Sequence, residues 1–323
     1  MSKRVFIVWA RYHRRSELLA QHFGATIHYV YYGKVGKLWQ APVRYLIEAW
    51  QTWRILRRER PDIIFVQNPP IFAVVVVFLY ARCHGARYVI DSHTGAFLGP
   101  KWGWSVGLHR RLSRGALTTI VHNTDIEKVV SSWGCRSLVI AFVPGEYPIA
   151  LPAALDGKFN VAVVGSFGAD EPVDIVFEAA SRLREVGFYL TGDFNRLAPS
   201  LLAKAPDNCH LTGYLRYEQY VGLLREVDAI MVLTTRDSTL LMGGFEAVSL
   251  GIPLIISDWP VLRDYFYLGA VHIPNTALGV YEGVRRVQSE LADLRPGVLE
   301  LRTQLEAEWE QKFAELQNLL GGS

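Results

Sequence analysis

The stretch from Asp62 to Asp91 reads "DIIFVQNPPIFAVVVVFLYARCHGARYVID" and predicts the fold. Its ends, "DIIFVQ" and "RYVID", are short runs rich in large apolar residues, as expected of parallel strands buried on both faces. The apolar run between them, Pro69 to Ala81, is shorter than the roughly 20 residues that a membrane-spanning helix needs. We interpret it as a helix that crosses over between two neighbouring parallel strands.

The same alternation of strand and helix patterns extends in both directions from this stretch. A helix that is apolar on one face and basic on the other is predicted over Pro42 to Arg60. The break at Val143 to Lys158, "VPGEYPIALPAALDGK", has little periodicity and separates two halves. Strands are predicted near 4–9, 26–31, 62–67, 87–91, 118–122 and 138–142, and then near 159–164, 187–191, 209–212, 228–233, 253–257 and 270–273.

This repeated pattern predicts an α/β protein with two doubly wound, Rossmann-like domains that face a cleft. We expect an N-terminal domain over 1–145, a linker over 146–158 and a second domain over 159–300. A long amphipathic C-terminal helix that ends at Gly321 is predicted from "VLELRTQLEAEWEQKFAELQNLL", which begins at Val298, and we assign 301–323 to this helix. Ligands of open parallel sheets bind beyond the carboxyl ends of the strands, so the loops that follow the strands are where a site is expected.

The charge of the chain is divided unevenly between its halves. Residues 1–150 hold 20 Lys and Arg against 8 Asp and Glu, whereas residues 151–323 hold 14 against 23. The first half therefore favours an anionic partner, a membrane surface or nucleic acid, over an ordinary solvated surface. Its basic residues form three clusters, which comprise Arg11, His13, Arg14 and Arg15; Arg54, Arg57, Arg58 and Arg60; and His109, Arg110, Arg111 and Arg114.

In the second half, four consecutive predicted strands end in small or polar residues. Backbone amides near Ser166, Gly192 and Gly213 would be free to bind a phosphate, assisted by the positive end of a helix dipole. The sequence has no Walker motif, and "GSFGAD" matches Gly-x-Gly-x-x-Gly poorly. A simple dinucleotide-binding fold is therefore weakly supported.

The loop and helix from Thr234 to Asp258, "TTRDSTLLMGGFEAVSLGIPLIISD", hold the strongest site candidates. Gly243 and Gly244 would let a diphosphate approach the backbone, and Glu246 would accept hydrogen bonds from a ribose diol. The alternative is that Glu246 only complements the helix dipole, and the spacing does not separate the two interpretations. Further donors to the diphosphate are expected from Arg236, Ser238 and Thr239.

"GGFEAVSLGIPLIISD" resembles the C-terminal motif of GT-B glycosyltransferases of the Glu-x7-Glu type. The resemblance implies that Glu246, the second Glu of that motif, binds the nucleotide ribose. The first Glu would fall at Ser238, beside Asp237, so the contact to the donor sugar hydroxyls departs from the family pattern. The family also has an Arg and a Lys after the first strand of the C-terminal domain, where this chain has "GSFGADEP". We therefore predict that Arg236 binds the phosphate in their place.

A second resemblance concerns two short motifs. The first is "QNPP" at Gln67 to Pro70, and the second is Ile90 and Asp91 followed by His93. These residues are similar to motifs of the mannosyltransferases that act on dolichyl-diphosphate chitobiose. The resemblance implies that His93 lies beside the donor sugar. If the reaction inverts configuration, the base candidates are His93, Asp91 and Glu146, in that order. The first resemblance points instead to retention, and the sequence does not decide between them.

Taken together, the residues and resemblances predict a metal-independent transfer of a sugar from a nucleotide-sugar to a lipid-linked or cell-envelope saccharide. No Asp-x-Asp, His-x3-His or Cys-x2-Cys pattern occurs, so we expect no metal and no cofactor beyond the donor substrate. We expect a cytoplasmic protein at an anionic membrane surface, with nucleic acid an unlikely partner. The acceptor or membrane face is assigned to Arg11, His13, Arg14 and Asn68.

Two alternatives remain open at the level of sequence. A nucleotide-sugar 2-epimerase shares the two-domain architecture but needs several carboxylates and histidines around the sugar. A catalytically silent carbohydrate- or nucleic-acid-binding relative is also compatible with Ser238 in place of an acidic residue. Release of nucleoside diphosphate only when an acceptor is added distinguishes transfer from both.

Overall fold

The computed structural model describes residues 2–33, 41–98, 101–147 and 150–321. The chain forms two compact units, the first comprising Met1–Val143 together with Glu308–Ser323 and the second Pro144–Ala307. Each unit contains one six-stranded sheet in which all neighbouring strands are parallel. Within the described residues, every helix is too short or too polar to cross a bilayer.

The sheet of the first unit has the strand order β2-β1-β3-β4-β5-β6. The chain moves to one side of β1 for β2 and to the other side for β3, so the direction of winding reverses between β1 and β3. The elements are β1 Arg4–Val8, α1 Arg14–His22, β2 Thr26–Tyr29, α2 Ala41–Glu59, β3 Ile63–Asn68, α3 Ile71–His84, β4 Arg87–Ser92, α4 Val106–Ser113, β5 Thr119–Val121, α5 Thr124–Ser132 and β6 Ser137–Val139.

The central strands of this unit are covered on both faces. All six residues of β3 are buried, and β3 pairs in register with β4, so that Asn68 lies beside Ser92. The crossover interpretation of the segment from Ile71 is confirmed: α3 connects β3 to β4 and buries Ile71, Val74 and Val77. The large apolar residues of the two strands and the helix explain this arrangement, because burying each one stabilises the fold by about 1.5–3 kcal/mol.

The sheet of the second unit has the order β12-β11-β10-β7-β8-β9 and reverses its winding between β7 and β10. This is the strand order of the dinucleotide-binding Rossmann fold. The elements are β7 Phe159–Val164, α6 Val173–Arg182, β8 Val186–Thr191, α7 Pro199–Leu202, β9 Cys209–Leu211, α8 Tyr217–Glu226, β10 Ala229–Val232, α9 Met242–Leu250, β11 Leu254–Ser257, α10 Pro260–Tyr265, β12 Ala270–Ile273 and α11 Ala277–Gly321.

All twelve predicted strands are present, and their ends differ from the prediction by no more than three residues. The predicted fold class is confirmed: two doubly wound parallel sheets with flanking helices. The predicted helix over 301–323 is the last part of a longer helix, α11, which begins at Ala277 and continues through Pro296. Residues of α11 from Glu308 onward belong to the first unit, where the rings of Trp309 and Phe313 pack against Phe23.

Candidate functional site

The loops after β7 and β10 lie at the point where the second sheet reverses its winding, which is where doubly wound sheets bind ligands. Asp170, in the loop after β7, joins the two loops. Its backbone oxygen accepts from the Thr235 amide at 2.7 Å, and its Oδ2 accepts from the Thr234 hydroxyl at 3.1 Å. The two loops therefore form one connected surface beyond the ends of β7 and β10.

Arg236, the predicted phosphate ligand, lies on this surface. Its Nη2 is 3.1 Å from Asp170 Oδ1, and its side chain is largely exposed. An exposed ion pair of this kind is worth at most about 1 kcal/mol, so the guanidinium can exchange its carboxylate for an arriving anion at little cost. The geometry permits Arg236 to bind a phosphate, and this role stays a prediction.

The amide of Ser166 already has an anionic partner. Glu171 Oε2 accepts from the Ser166 amide at 2.8 Å and from the Gly168 amide at 3.3 Å, and Glu171 Oε1 accepts from the Ser166 hydroxyl at 3.1 Å. Converging backbone amides of this kind are a typical anion site. A phosphate that used the Ser166 amide would have to displace the Glu171 carboxylate.

Gly192 and Gly213, at the ends of β8 and β9, have structural reasons to be glycine. Both have positive φ, 152° and 70°. A Cβ on Gly192 would lie 2.7 Å from the backbone oxygen of Gly165, so only glycine allows these two loops to pack together. This packing holds the loop after β8 against the loop after β7.

The two glycines of α9 face the protein interior. A Cβ on Gly243 would lie 3.0 Å from Val164 and Val232, and one on Gly244 would lie 2.7 Å from the ring of Phe266. Close packing of α9 thus accounts for the double glycine, for which the sequence predicts an approach of a diphosphate. In the preceding loop, Ser238 adopts a left-handed φ of 57° and the Thr239 hydroxyl donates to the backbone oxygen of Asp237.

Glu246, the predicted ribose ligand, projects from α9 and is half-buried. Its Oε2 accepts a hydrogen bond of 2.6 Å from the hydroxyl of Tyr220 on α8. Burial, and then the charge of the Glu246 carboxylate, hold the pKa of Tyr220 well above its ordinary value, so the phenol remains a donor at neutral pH. The carboxylate is therefore held in one orientation by a fixed donor on a neighbouring helix.

In the first unit, the side chains beyond the strand ends converge on Asp91, the fifth residue of β4. The carboxylate is fully buried, with Oδ2 3.3 Å from His93 Nε2 and Oδ1 3.8 Å from both His122 Nε2 and Arg15 Nε. Arg15 is fixed by donating to the backbone oxygens of Ala141, at 3.0 Å, and Ile140. Strands β4 and β5 and helix α1 each contribute to this cluster.

Burial alone raises the pKa of the Asp91 carboxyl, but the charge of Arg15 and the contacts with His93 and His122 outweigh it. The pKa of Asp91 consequently lies well below its ordinary value and the group is ionised. Burial lowers the pKa of His122, and also that of His13, to about 3, so both imidazoles are neutral at physiological pH. An ionised carboxylate beside His93 is the arrangement that orients a histidine for proton transfer.

Asp91, His93 and His122 are also the residues, within the described ranges, that could hold a metal ion. Their ligand atoms all lie within 4.8 Å of one another. The guanidinium of Arg15 lies against the same carboxylate and already supplies a positive charge, which opposes a divalent cation there. The charge of Arg15 therefore disfavours a metal ion at these three side chains.

The predicted acceptor or membrane face is not one surface. Asn68 is buried at the end of β3, where its amide donates to Ser92 Oγ at 3.3 Å and lies 3.2 Å from His109 Nε2. His13 caps α1 by accepting from the Ser16 amide. A membrane contact is therefore excluded for Asn68, and His13 has a structural role. Arg14 pairs with Glu17 at 3.0 Å, and Arg11 is exposed and stacks on Tyr31.

Several residues of these clusters were not recognised in the sequence. Arg15 belongs in the sequence to a cluster of basic residues, but its position three and four residues before Leu18 and Leu19 places it on the buried face of α1. Tyr220 and His122 gave no signal of their own, because their partners are far away in the sequence. Glu171 follows a small-residue loop, where a carboxylate that caps loop amides could have been anticipated.

The sequence matches no protein-family model and no curated protein. The chain is similar to sucrose-phosphate synthase from Thermosynechococcus elongatus, with a TM-score of 0.75, 12% identity and 98% coverage of both chains. It is similar to HepE from Anabaena in complex with UDP and glucose, with a TM-score of 0.73 and 12% identity over 98% of this chain and 100% of that one. A putative UDP-N-acetylglucosamine 2-epimerase from Listeria monocytogenes gives 0.60, 13% identity and 98% coverage of both chains.

These similarities, together with the two parallel sheets, place the chain in the GT-B class of folds. At such low identities the likeness concerns the architecture alone.

Proposed function

We propose that the protein is a glycosyltransferase that uses a nucleotide-sugar donor. The observation that carries the proposal is the Glu246 carboxylate on α9, the helix after β10, next to the winding reversal of a Rossmann-type sheet. The hydroxyl of Tyr220 on α8 holds this carboxylate. Tyr220 orients the carboxylate, and a carboxylate is an acceptor-only group that suits the two hydroxyls of a ribose diol. Similar folds have been solved with UDP, and with UDP and glucose, which supports a nucleoside diphosphate as the leaving group.

In the proposed reaction, an acceptor hydroxyl forms a bond to the anomeric carbon while the bond from that carbon to the diphosphate breaks. Arg236 and the helix dipole of α9 would stabilise the charge of the departing diphosphate without a metal. If the reaction inverts, His93 takes the acceptor proton, because its side chain is 19% exposed whereas that of Asp91 is fully buried. Asp91 then acts by orienting His93. If the reaction retains configuration, His93 positions the sugar.

The acceptor belongs to the same proposal. The excess of Lys and Arg in residues 1–150 supports an anionic acceptor such as a diphosphate-linked lipid saccharide, and hence a peripheral location at a cytoplasmic membrane face. The anomeric configuration of the product, compared with that of the donor, distinguishes the two roles of His93.

The test of the donor site is a thermal-shift titration with UDP, GDP, ADP, CMP and their sugars. A ligand at a hundred times its Kd stabilises the folded state by about 2.7 kcal/mol. We expect a shift with one nucleoside diphosphate, a loss of affinity of about tenfold or more in Glu246→Gln, and a smaller loss in Tyr220→Phe. Glu282→Gln, an exposed carboxylate of the same unit, is the matched control.

Unchanged affinity in Glu246→Gln would remove Glu246 from the site.

A nucleotide-sugar 2-epimerase is the second candidate function. The Listeria structure favours it, although the TM-score of that structure is lower than those of sucrose-phosphate synthase and HepE. Nucleoside diphosphate released only on addition of an acceptor favours transfer, whereas a change in the donor sugar without an acceptor favours the epimerase.

A further inference from the structure

The outward face of α2 carries large apolar side chains that the rest of the described chain leaves uncovered. Val43 is 57% exposed, Leu46 72% and Trp50 57%. Their spacing of three and four residues places them in one row along the helix. Arg54 and Arg57, both exposed, continue the same row. We define the α2 stripe as these five residues, apolar in its first half and basic in its second.

The opposite face of α2 is fixed to the core of the first unit. Thr52 Oγ1 accepts from the indole nitrogen of Trp9 at 2.8 Å, and the backbone oxygen of Leu56 accepts from the Tyr80 hydroxyl at 2.9 Å. Glu48, on the same inner face, is buried and accepts from the Tyr32 amide at 3.2 Å. Rotation of the helix to bury the α2 stripe would break these bonds, so its exposure is built into the fold.

A second exposed aromatic side chain lies next to the N-terminal half of α2. Trp104 is 65% exposed, and its ring centroid is 6.1 Å from that of Phe72 on α3. Phe72 in turn lies 4.9 Å from Tyr45 of α2. Lys101 stacks over the neighbouring Trp102 at 5.7 Å. These contacts run through Tyr45, which packs on Trp9 on the inner side of α2, so Trp104 and Lys101 share the first unit with the α2 stripe but are not part of it.

The charges around the α2 stripe select the kind of surface that covers it. Arg54 lies 4.7 Å over the Trp50 ring, and Arg58 is also exposed. The nearby carboxylate, Glu59, is neutralised by Lys3 and Arg58, each at 2.9 Å. Helices that lie in the interface of a bilayer carry exposed tryptophan and leucine beside arginines. Their apolar row lies among the acyl chains, and their cations lie at the anionic headgroups.

We propose that the α2 stripe forms a docking surface for an anionic lipid bilayer. Val43, Leu46 and Trp50 enter the interfacial region, while Arg54 and Arg57 contact headgroup phosphates. The apolar row from Val43 to Trp50 extends about 10 Å along the helix, which suits in-plane contact. This surface replaces the predicted membrane face, of which Asn68 is buried and His13 is a helix cap.

The experiment is vesicle co-sedimentation of the full chain with phosphatidylcholine vesicles that contain 0 or about 30% phosphatidylglycerol, with brominated lipid in a parallel series to quench inserted tryptophan. We expect binding to the anionic vesicles and quenching of tryptophan fluorescence. Leu46→Gln with Trp50→Gln should lower the affinity by about tenfold or more. Arg54→Gln with Arg57→Gln should lower it by about fivefold per arginine at low salt.

The matched control is Leu278→Gln, a leucine of the second unit that is 56% exposed. It should bind vesicles as the unaltered chain does, and circular dichroism should show that all variants are folded.

Absence of binding by the unaltered chain, or equal binding by the Leu46/Trp50 variant, would overturn the proposal. So would light scattering that shows a dimer which the Leu46/Trp50 variant converts to a monomer, because a second copy would then cover the surface. Nucleotide affinity is measured separately, so failure here is distinguishable from failure of the donor site.

Discussion

Glu171 occupies the loop amides after β7 that the proposed donor site would offer to a phosphate oxygen. Its carboxylate accepts from the Ser166 and Gly168 amides and from the Ser166 hydroxyl. A diphosphate that uses this loop either displaces the Glu171 side chain or binds close to the negative charge of Glu171. Either consequence makes the carboxylate unfavourable for nucleotide binding.

We therefore expect Glu171→Gln to tighten the binding of a nucleoside diphosphate by about fivefold to tenfold. This corresponds to about 1 kcal/mol, the repulsion between two charges roughly 4 Å apart in water. The amide oxygen of Gln preserves an acceptor for the loop amides, so the fold should be retained. Isothermal titration against Glu178→Gln, an exposed carboxylate of α6, provides the comparison. An affinity unchanged by Glu171→Gln would place the diphosphate elsewhere.

At the scale of elements, helix α9 lies close to the sheet because it begins with two glycines. A Cβ on Gly244 would meet three atoms of the Phe266 ring within 2.7–3.2 Å. Phe266 is fully buried, so the ring has no space into which to retreat.

Gly244→Ala should consequently lower the free energy of unfolding by about 1–3 kcal/mol, as overpacked cores do. Denaturant unfolding measures this, and Phe266→Leu in the same chain should recover part of the loss. Gly107→Ala, where a Cβ would have no atom within 4 Å, should leave stability unchanged or raise it. If Gly244→Ala is as stable as the unaltered chain, α9 can shift and its position is not set by this contact.

The elements themselves were predictable, because strands such as β3 and β4 are short apolar runs and the helices between them are periodic. The partners of individual side chains were not. Arg15 meets Asp91 across 76 positions of sequence, and Tyr220 meets Glu246 across 26. Contacts of this range depend on sheet order, which hydrophobic patterning does not encode. Of the predicted site residues, Asp91 lies near the end of a strand, whereas Glu246 lies on helix α9. Helix α2 was predicted to be apolar on one face and basic on the other, but its arginines share the exposed face with Leu46 and Trp50, which only the structure shows.

For the molecule as a whole, the buried histidines make stability depend on pH. Burial, reinforced by Arg15 and His93 and opposed by Asp91, lowers the pKa of His122 to about 3, against an ordinary value of 6.5. Between these values the unfolded chain binds a proton that the folded chain does not, so stability falls as pH decreases from 6.5 towards 3. Asp91 adds to this loss only near and below pH 3.8, its ordinary pKa, because its pKa in the folded chain lies well below that value.

The expected outcome is a free energy of unfolding that decreases by up to about 1.4 kcal/mol per pH unit for each such histidine below pH 6.5. His122→Asn should be less stable at pH 7.5 but should show a shallower decrease between pH 6.5 and 4.5. Denaturant titrations at four pH values test this. An identical slope in the variant would mean that His122 is protonated in the folded chain.

Helix α11 has a consequence for how the protein is made. Its last turns, with Trp309 and Phe313, complete the packing around Phe23, which is translated near the beginning of the chain. During synthesis the first unit leaves the ribosome without this helical cover, and the whole second unit must follow before it arrives. The apolar surface around Phe23 therefore stays open while the second unit is translated. We expect a nascent-chain chaperone to bind this surface during that interval.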